Sequence, residues 1–331
     1  MRLKTALAMG MVAAILGEAE AGTMKQVRLD QGRYPGNKIG APLFKTDGVA
    51  PLRIGFTAAY GSGKIKIMRS LGNMFTKGVS HDLLPSVDLA ALLGEAARSE
   101  AAAMGFRVAD SGKVWDVTGD LKEIYLESKR ITGYGAMLSW GYMVLDLKVK
   151  APGGAVQPRR WRFHSFFGKL QSAGFSSKGD AETALANLLV EGAQELVSRL
   201  NHDFLKAPAL PDVDKKLRAV ATEGVKRHET DLHHVGLAAG ASAVGPLLER
   251  LNQEPSEDER AKIVNALARI GAKGSVGPLA GRYAKEDEDC RWYTLKAMDY
   301  IGGEAPLIFV KEKGLTDGAE ECKRLAKRIL G

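Results

Sequence analysis

His228, Asp231, His233 and His234 cluster within seven residues, and imidazole with carboxylate is a donor set that can hold zinc. Their spacing argues against it. Two imidazoles share one helix face when four residues separate them, whereas the intervals here are five and one. Histidines at the start of a helix are the plainer reading, and a metal-dependent hydrolase or lyase-like enzyme working through His228, His233 and His234 stands as an alternative. His81 and His202 each lie beside an aspartate and add no ligand pattern. Gly61-Ser62-Gly63-Lys64 follows a strand-like run, as a phosphate-binding loop does. Ala58, however, occupies the first glycine position, and Ile65 stands where a Ser or Thr must reach magnesium. Serines are plentiful, but none lies in the Gly-x-Ser-x-Gly turn that exposes a nucleophile. These residues assign no catalytic group, no metal and no cofactor, so the chain reads as non-enzymatic.

A basic hairpin is the better candidate site. Ala151-Pro152-Gly153-Gly154 turns the chain between two alternating runs, and a turn centred on Gly153 and Gly154 brings Lys148 near Arg160 and Asp146 near Arg162. Lys148, Lys150, Arg160 and Arg162 then share the outer face. Such a stripe is a candidate site for phosphate groups of an anionic envelope lipid or polymer, each contact a charge-assisted hydrogen bond. A solvated face that blunts an edge strand accounts for it more simply. Cys290 and Cys322 show no CxxC spacing. They read as lying about one turn out of register on neighbouring helices, and they form a candidate disulfide only if both side chains point inward.

The whole chain has 331 residues, a length suited to two domains, and 47 Lys/Arg against 39 Asp/Glu. The excess is local. Residues 22–206 hold 25 basic and 17 acidic side chains, whereas residues 207–331 hold 20 of each. An anionic partner therefore concerns the first half. Arg2 and Lys4 precede an apolar stretch from Thr5 to Gly17, too short to span a bilayer, and Ala19-Glu20-Ala21 supplies the small residues a signal peptidase reads. Residues 1–21 are thus expected to be an export signal cut before Gly22. No cysteine lies at the cut, so the expected product is periplasmic without a lipid anchor, and nucleic acid is not an expected partner for it.

The elements that must position these groups follow from periodicity. Residues 22–49 show little and are read as a loosely held lead-in. Residues 50–206 form an expected α+β domain, with strands at Leu52–Thr57, Phe106–Val108, Leu121–Glu127, Met137–Val149 and Trp161–Phe167. A helix after Ser86 and another over Leu185–Phe204 pack on one face of an antiparallel sheet. The Ala-rich helix running into Met104-Gly105-Phe106-Arg107-Val108 resembles the YajG-like family of bacterial envelope lipoproteins. That resemblance covers about residues 50–205 and implies a small α+β envelope module. The chain lacks the lipobox cysteine of those lipoproteins.

Two prolines in Ala207–Asp212 mark the expected boundary to a second domain, residues 207–331. Val244-Gly245-Pro246-Leu247 returns as Val276-Gly277-Pro278-Leu279, and Ala266–Gly271 returns as Ala297–Gly302. A period near 30 residues is the mark of a helical solenoid. Residues 229–331 look like HEAT repeats of the short type also found in phycobilisome lyases. Arg260 and Arg291 match that family's recurring arginine, which implies a structural role between adjacent turns. Stacked helix pairs leave a long surface suited to a protein partner. The expectation is an exported scaffold protein, accessory to an envelope assembly or transport system, with anion binding by the basic half as a further alternative.

Overall fold

The computed structural model describes residues 23–24, 38–58, 67–73, 76–85, 88–130, 136–171 and 177–331. The expected export signal and the Gly61–Lys64 loop lie outside the described residues, as does the His81 side chain.

Strands β1 (Thr23–Met24), β2 (Leu52–Ala58), β3 (Ile67–Asn73), β4 (Thr76–Pro85), β5 (Trp115–Arg130), β6 (Ala136–Lys150) and β7 (Val156–Gln171) form one sheet. Its order is β1-β4-β3-β5-β6-β7, and β2 pairs with β5. The sheet is mixed, which corrects the antiparallel expectation. β5, β6 and β7 are antiparallel, but β2 and β3 both run parallel to β5, along its first and last parts respectively. Parallel pairing needs a crossover connection, and the chain supplies one through helix α1 (Leu89–Ala103) between β2 and β5. Period-two alternation identifies a strand without naming its partner. Phe106–Val108 contributes only a bridge from Val108 to Leu52, and the β3–β4 hairpin was not expected at all.

Asp88 starts α1 by accepting hydrogen bonds from the Ala90 and Ala91 amides, and Gly105 stops it in a left-handed conformation. A side chain at Gly105 would press on Phe44 O at 3.1 Å. Within the stretch expected to be loosely held, Leu43 and Phe44 are buried, and both amides donate to Met104 O. Helix α2 (Ser177–Leu200) packs on α1, β6 and β7, with Leu185, Leu188, Leu189, Ala193 and Leu196 buried in the core. It approaches so closely at Gly192 that an added Cβ would lie 1.6 Å from the Met143 side chain.

Beyond Lys206, whose φ is +58°, the chain is helical. Helices α3 (Pro211–Glu223), α4 (Glu229–Ala238), α5 (Val244–Gln253), α6 (Glu257–Ile270), α7 (Val276–Arg282), α8 (Glu288–Ile301), α9 (Glu304–Phe309) and α10 (Glu320–Leu330) follow in order. Ser256 caps α6 and Asp287 caps α8, while Gly271 closes α6 with φ +63°. α4 packs on α6, α6 on α8, and α8 on α10. Buried apolar residues of the sheet, of α1 and α2, and of these helices make one continuous cluster. Among the described residues, no helix is long and apolar enough to cross a membrane.

Candidate functional site

Glu191, Gln194, Glu195, Ser198 and Arg199 recur at three- and four-residue intervals along α2 and so share one face. That face meets the later helices. Glu195 accepts from Lys296 Nζ at 2.7 Å and from Arg269 Nε at 2.9 Å, and the Tyr300 hydroxyl donates to its other oxygen. Lys296 also donates to Asn265, and Glu191 accepts from Ser165. Burial by itself would raise the Glu195 carboxyl, but the Lys296 and Arg269 charges outweigh it and hold the group down at about 2. Burial lowers Lys296 from its ordinary value, with Arg269 adding to the effect and Glu195 opposing it.

The seam continues along β7, the edge strand. A free strand edge presents unpaired backbone groups. Here the His164 amide donates to the Tyr300 hydroxyl at 3.0 Å, and Arg199 donates to the Arg162 carbonyl at 3.2 Å. His164 Nε2 lies 2.8 Å from Asp299, while Arg162 donates to Asp299 and to Ile329 O, both at 2.9 Å. Burial pushes Asp299 upward, yet His164 and Arg162 together keep its carboxyl below the ordinary value. The outer face of the hairpin, expected to be solvated, is therefore half covered by α8 and α10.

Between that face and α10 lies a cavity of about 500 Å³. Its sheet wall carries Glu123, Tyr125, Tyr142, Val144, Arg160 and Arg162, and its helix wall carries Arg324, Lys327 and Arg328. Tyr125 and Tyr142 are cross-strand neighbours with ring centroids 5.5 Å apart, and the Arg328 guanidinium sits 5.1 and 5.2 Å from them. Tyr142 donates to Glu123, and burial followed by that bond raises the phenol above its usual range. Five cationic side chains and one carboxylate side chain line the space, together with Gly331.

The expected stripe is thus divided. Arg160 and Arg162 line the cavity, and Lys148 and Lys150 are exposed further along β6, outside the lining. Cross-strand partners differ by two residues from the expectation: Asp146 faces Arg160 and Lys148 faces Pro158. The reason is the turn. Gly154 N donates to Ala151 O, which places Pro152 and Gly153 at the centre, with Gly153 at φ +73° as a type II turn requires. A shift by two keeps every side chain on its face and exchanges its neighbour. Arg324, Lys327 and Arg328 were missed, although intervals of three and four put them on one face. The neutral total of the second half hid them.

The histidines separate. His228 bonds Glu223 and Asp231 near the surface, and those two partners raise its imidazole. His233 is buried between Gln194 and Arg269, at 2.8 and 2.9 Å, and burial followed by the Arg269 charge holds it neutral. His234 meets Lys216 at 2.9 Å and the Lys38 carbonyl at 3.2 Å. Each ring thus has its own partners, and the three do not converge on a metal-sized point. His202 is pushed below its ordinary value by burial.

Cys290 and Cys322 are buried free thiols, so the candidate disulfide is not formed. They are also in register, each three residues past the residue that precedes its helix. Each Sγ faces a carbonyl of the preceding second helix, Glu257 O at 3.8 Å and Glu288 O at 3.7 Å, rather than its counterpart. Among the described residues, Glu286, Asp287 and Cys290 are close enough to share a metal ion, with donor atoms within 4.8 Å. Arg260 and Arg282 already occupy the Glu286 carboxylate, at 2.9 and 2.8 Å, and Asp287 caps the Cys290 amide.

No family model matches the chain, and no curated protein matches it. Among solved structures, a protein described only as uncharacterized is 14% identical and aligns over 45% of this chain and 92% of its own, with a TM-score of 0.28. A protein of the DUF330 family from Xanthomonas campestris is 15% identical over 45% of this chain and 81% of its own, with a TM-score of 0.30. Likeness at this level carries no argument about fold or function.

Proposed function

We propose that the protein is a non-enzymatic, exported envelope protein. Its later helix pairs form a HEAT-like solenoid that docks a protein partner beside the α+β module, as an accessory to an envelope assembly or transport system. The observation that carries the scaffold reading is a repeated arginine contact. Arg260 and Arg291 each occupy the fourth helical position, in α6 and α8. Each reaches a carboxylate 26 residues ahead, Arg260 to Glu286 at 2.9 Å and Arg291 to Asp317 at 2.9 Å. Each also donates to a carbonyl just before its own helix, of Glu254 and Pro255 for Arg260 and of Glu286 for Arg291. A contact that recurs in register supports repeated units joined to their neighbours, as a solenoid requires. The enclosure of His164 against Asp299 supports the non-enzymatic reading, because a substrate could not reach that pair. Leu307 and Ile308, side by side and exposed on α9, offer an apolar contact for a partner.

Two measurements test the proposal. Export predicts a mature N-terminus at Gly22 in the periplasmic fraction, read by mass spectrometry. Affinity capture with the full chain from that fraction should recover one stoichiometric partner that is lost on Leu307→Asp/Ile308→Asp substitution. An uncleaved chain confined to the cytosol would overturn the export reading. A partner set identical for wild type and the double variant would overturn α9 as the docking face.

A further inference from the structure

The geometry points to the cavity between the sheet and α10 as a binding site for a soluble phosphate monoester on a hydroxylated carbon skeleton. This goes beyond the scaffold reading and does not depend on it. The cations come from two walls, Arg160 and Arg162 from β7 and Lys327 and Arg328 from α10, so a dianion between them is bracketed rather than merely attracted. A planar guanidinium offers paired N–H donors that match two phosphate oxygens.

Part of this charge is not consumed within the protein. Arg162 is committed, with hydrogen bonds to Asp299 and Ile329 O. Arg160 meets Asp146 at 3.7 Å and Arg328 meets Glu123 at 3.6 Å, both longer than a hydrogen bond, so their N–H groups remain open to a ligand. Lys327 is exposed at the rim. Arg162 then acts as a fixed positive wall, and Arg160, Lys327 and Arg328 act as the donors.

Size and the remaining lining decide what the phosphate is attached to. A volume of about 500 Å³ far exceeds a bare phosphate and suits a small organic molecule. Tyr125, Tyr142 and Val144 give that molecule an apolar wall. Glu123 is the carboxylate side chain of the lining, and it already accepts the Tyr142 hydroxyl. It accepts hydrogen bonds from hydroxyl groups of the skeleton and repels a second phosphate placed beside it. A monoester with its charge at one end fits this arrangement better than an evenly charged polyanion does.

Calorimetric titration of the full chain with glucose 6-phosphate tests the assignment, with inorganic phosphate and glucose as comparison probes. Glucose 6-phosphate is expected to bind more tightly than either, and to weaken as salt rises. Arg160→Ala and Arg328→Ala are each expected to weaken it about tenfold, the loss of one charge-assisted contact. Lys327→Ala provides a third variant on an exposed side chain, and Lys148→Ala, outside the lining, leaves binding unchanged. Circular dichroism checks that each variant is folded. Absence of binding at millimolar probe, or equal affinity in wild type and the three cavity variants, overturns the site. Equal affinity for inorganic phosphate and glucose 6-phosphate overturns the assigned skeleton. Co-sedimentation with phosphatidylcholine vesicles containing phosphatidic acid, not competed by glucose 6-phosphate, reassigns the cations to a membrane surface and overturns the soluble ligand.

Discussion

Lys296 Nζ lies 2.7 Å from Glu195 Oε1, a pairing between residues 101 apart in sequence and both almost wholly buried. It ties α8 to α2, and so the helical half to the sheet half. Glu195 also holds Arg269 and Tyr300, which makes it the hub and Lys296 one spoke. Removing one partner of a buried ion pair leaves an uncompensated charge, a loss of about 3–5 kcal/mol. Glu195→Gln strands two cations and is expected to cost that much in urea unfolding. Lys296→Met is expected to cost less, because Glu195 keeps Arg269 and Tyr300. The reverse order of stabilities would remove Glu195 from the centre of the seam. The depressed Glu195 carboxyl adds an acid limb: its contribution is full above about pH 4.5 and is lost as pH falls towards about 2.

This seam was not legible in the sequence, and the reason is physical. Glu191, Glu195, Lys296 and Tyr300 sit on helices whose apolar periodicity was clear, but period alone does not say which helix a polar face will meet. The elements themselves were more accessible. Alternation in Met143, Leu145, Leu147 and Val149 located β6, and the recurrence of the Val-Gly-Pro-Leu motif marked the starts of α5 and α7. Pairing was harder. The parallel contacts of β2 and β3 with β5 depend on the crossover through α1, and the two-residue shift at β7 depends on which turn residue carries positive φ. Half of the cavity, Arg160 and Arg162, was foreseen as part of a basic stripe. The other half lay on α10, and nothing in the hairpin indicated that a helix some 160 residues later would cover it.

Glu288 and Glu321, in the first turns of α8 and α10, make stability depend on pH near neutrality. Burial, with hydrogen bonding to Glu321, raises the Glu288 carboxyl to about 7. An unfolded glutamate titrates near about 4.3, so the folded state retains a proton that the unfolded chain releases. The contribution is therefore full below about pH 4 and is lost as pH rises through about 7. The melting temperature is expected to decline across that interval in the wild type, and Glu288→Gln is expected to flatten the decline. An unchanged slope in the variant would show that this pair does not titrate as described.

Arg260 and Arg291 act on the same turn from two sides. Arg260 binds the Glu286 carboxylate while Arg291 binds the Glu286 carbonyl. Each alanine substitution removes hydrogen bonds to charged groups, with an expected loss of about 1.5–3 kcal/mol. Residues that share a partner do not add independently, and coupling of about 0.5–3 kcal/mol is usual. The double variant is accordingly expected to lose less than the sum of the singles, since the first substitution already loosens the turn the second arginine holds. A double-mutant cycle by urea unfolding measures the difference. Simple additivity would show that the two contacts hold separate turns.

Cys290 and Cys322 give a chemical readout of the same stack. Both thiols are fully buried, and burial, ahead of the neighbouring acidic residues, pushes each above its ordinary value. Reaction requires an accessible thiolate, so both should be unreactive in the folded protein. With Ellman's reagent at about pH 8, the native chain is expected to release almost no thiolate colour within minutes, and the guanidinium-unfolded chain two equivalents, with or without prior reductant. Two equivalents only after reduction would reveal a bridge between the cysteines. Fast labelling of Cys322 alone would instead locate the opening at α10, the helix that closes the cavity. Arg162→Ala, which frees the Ile329 carbonyl and Asp299, is then expected to accelerate that labelling while leaving Cys290 protected.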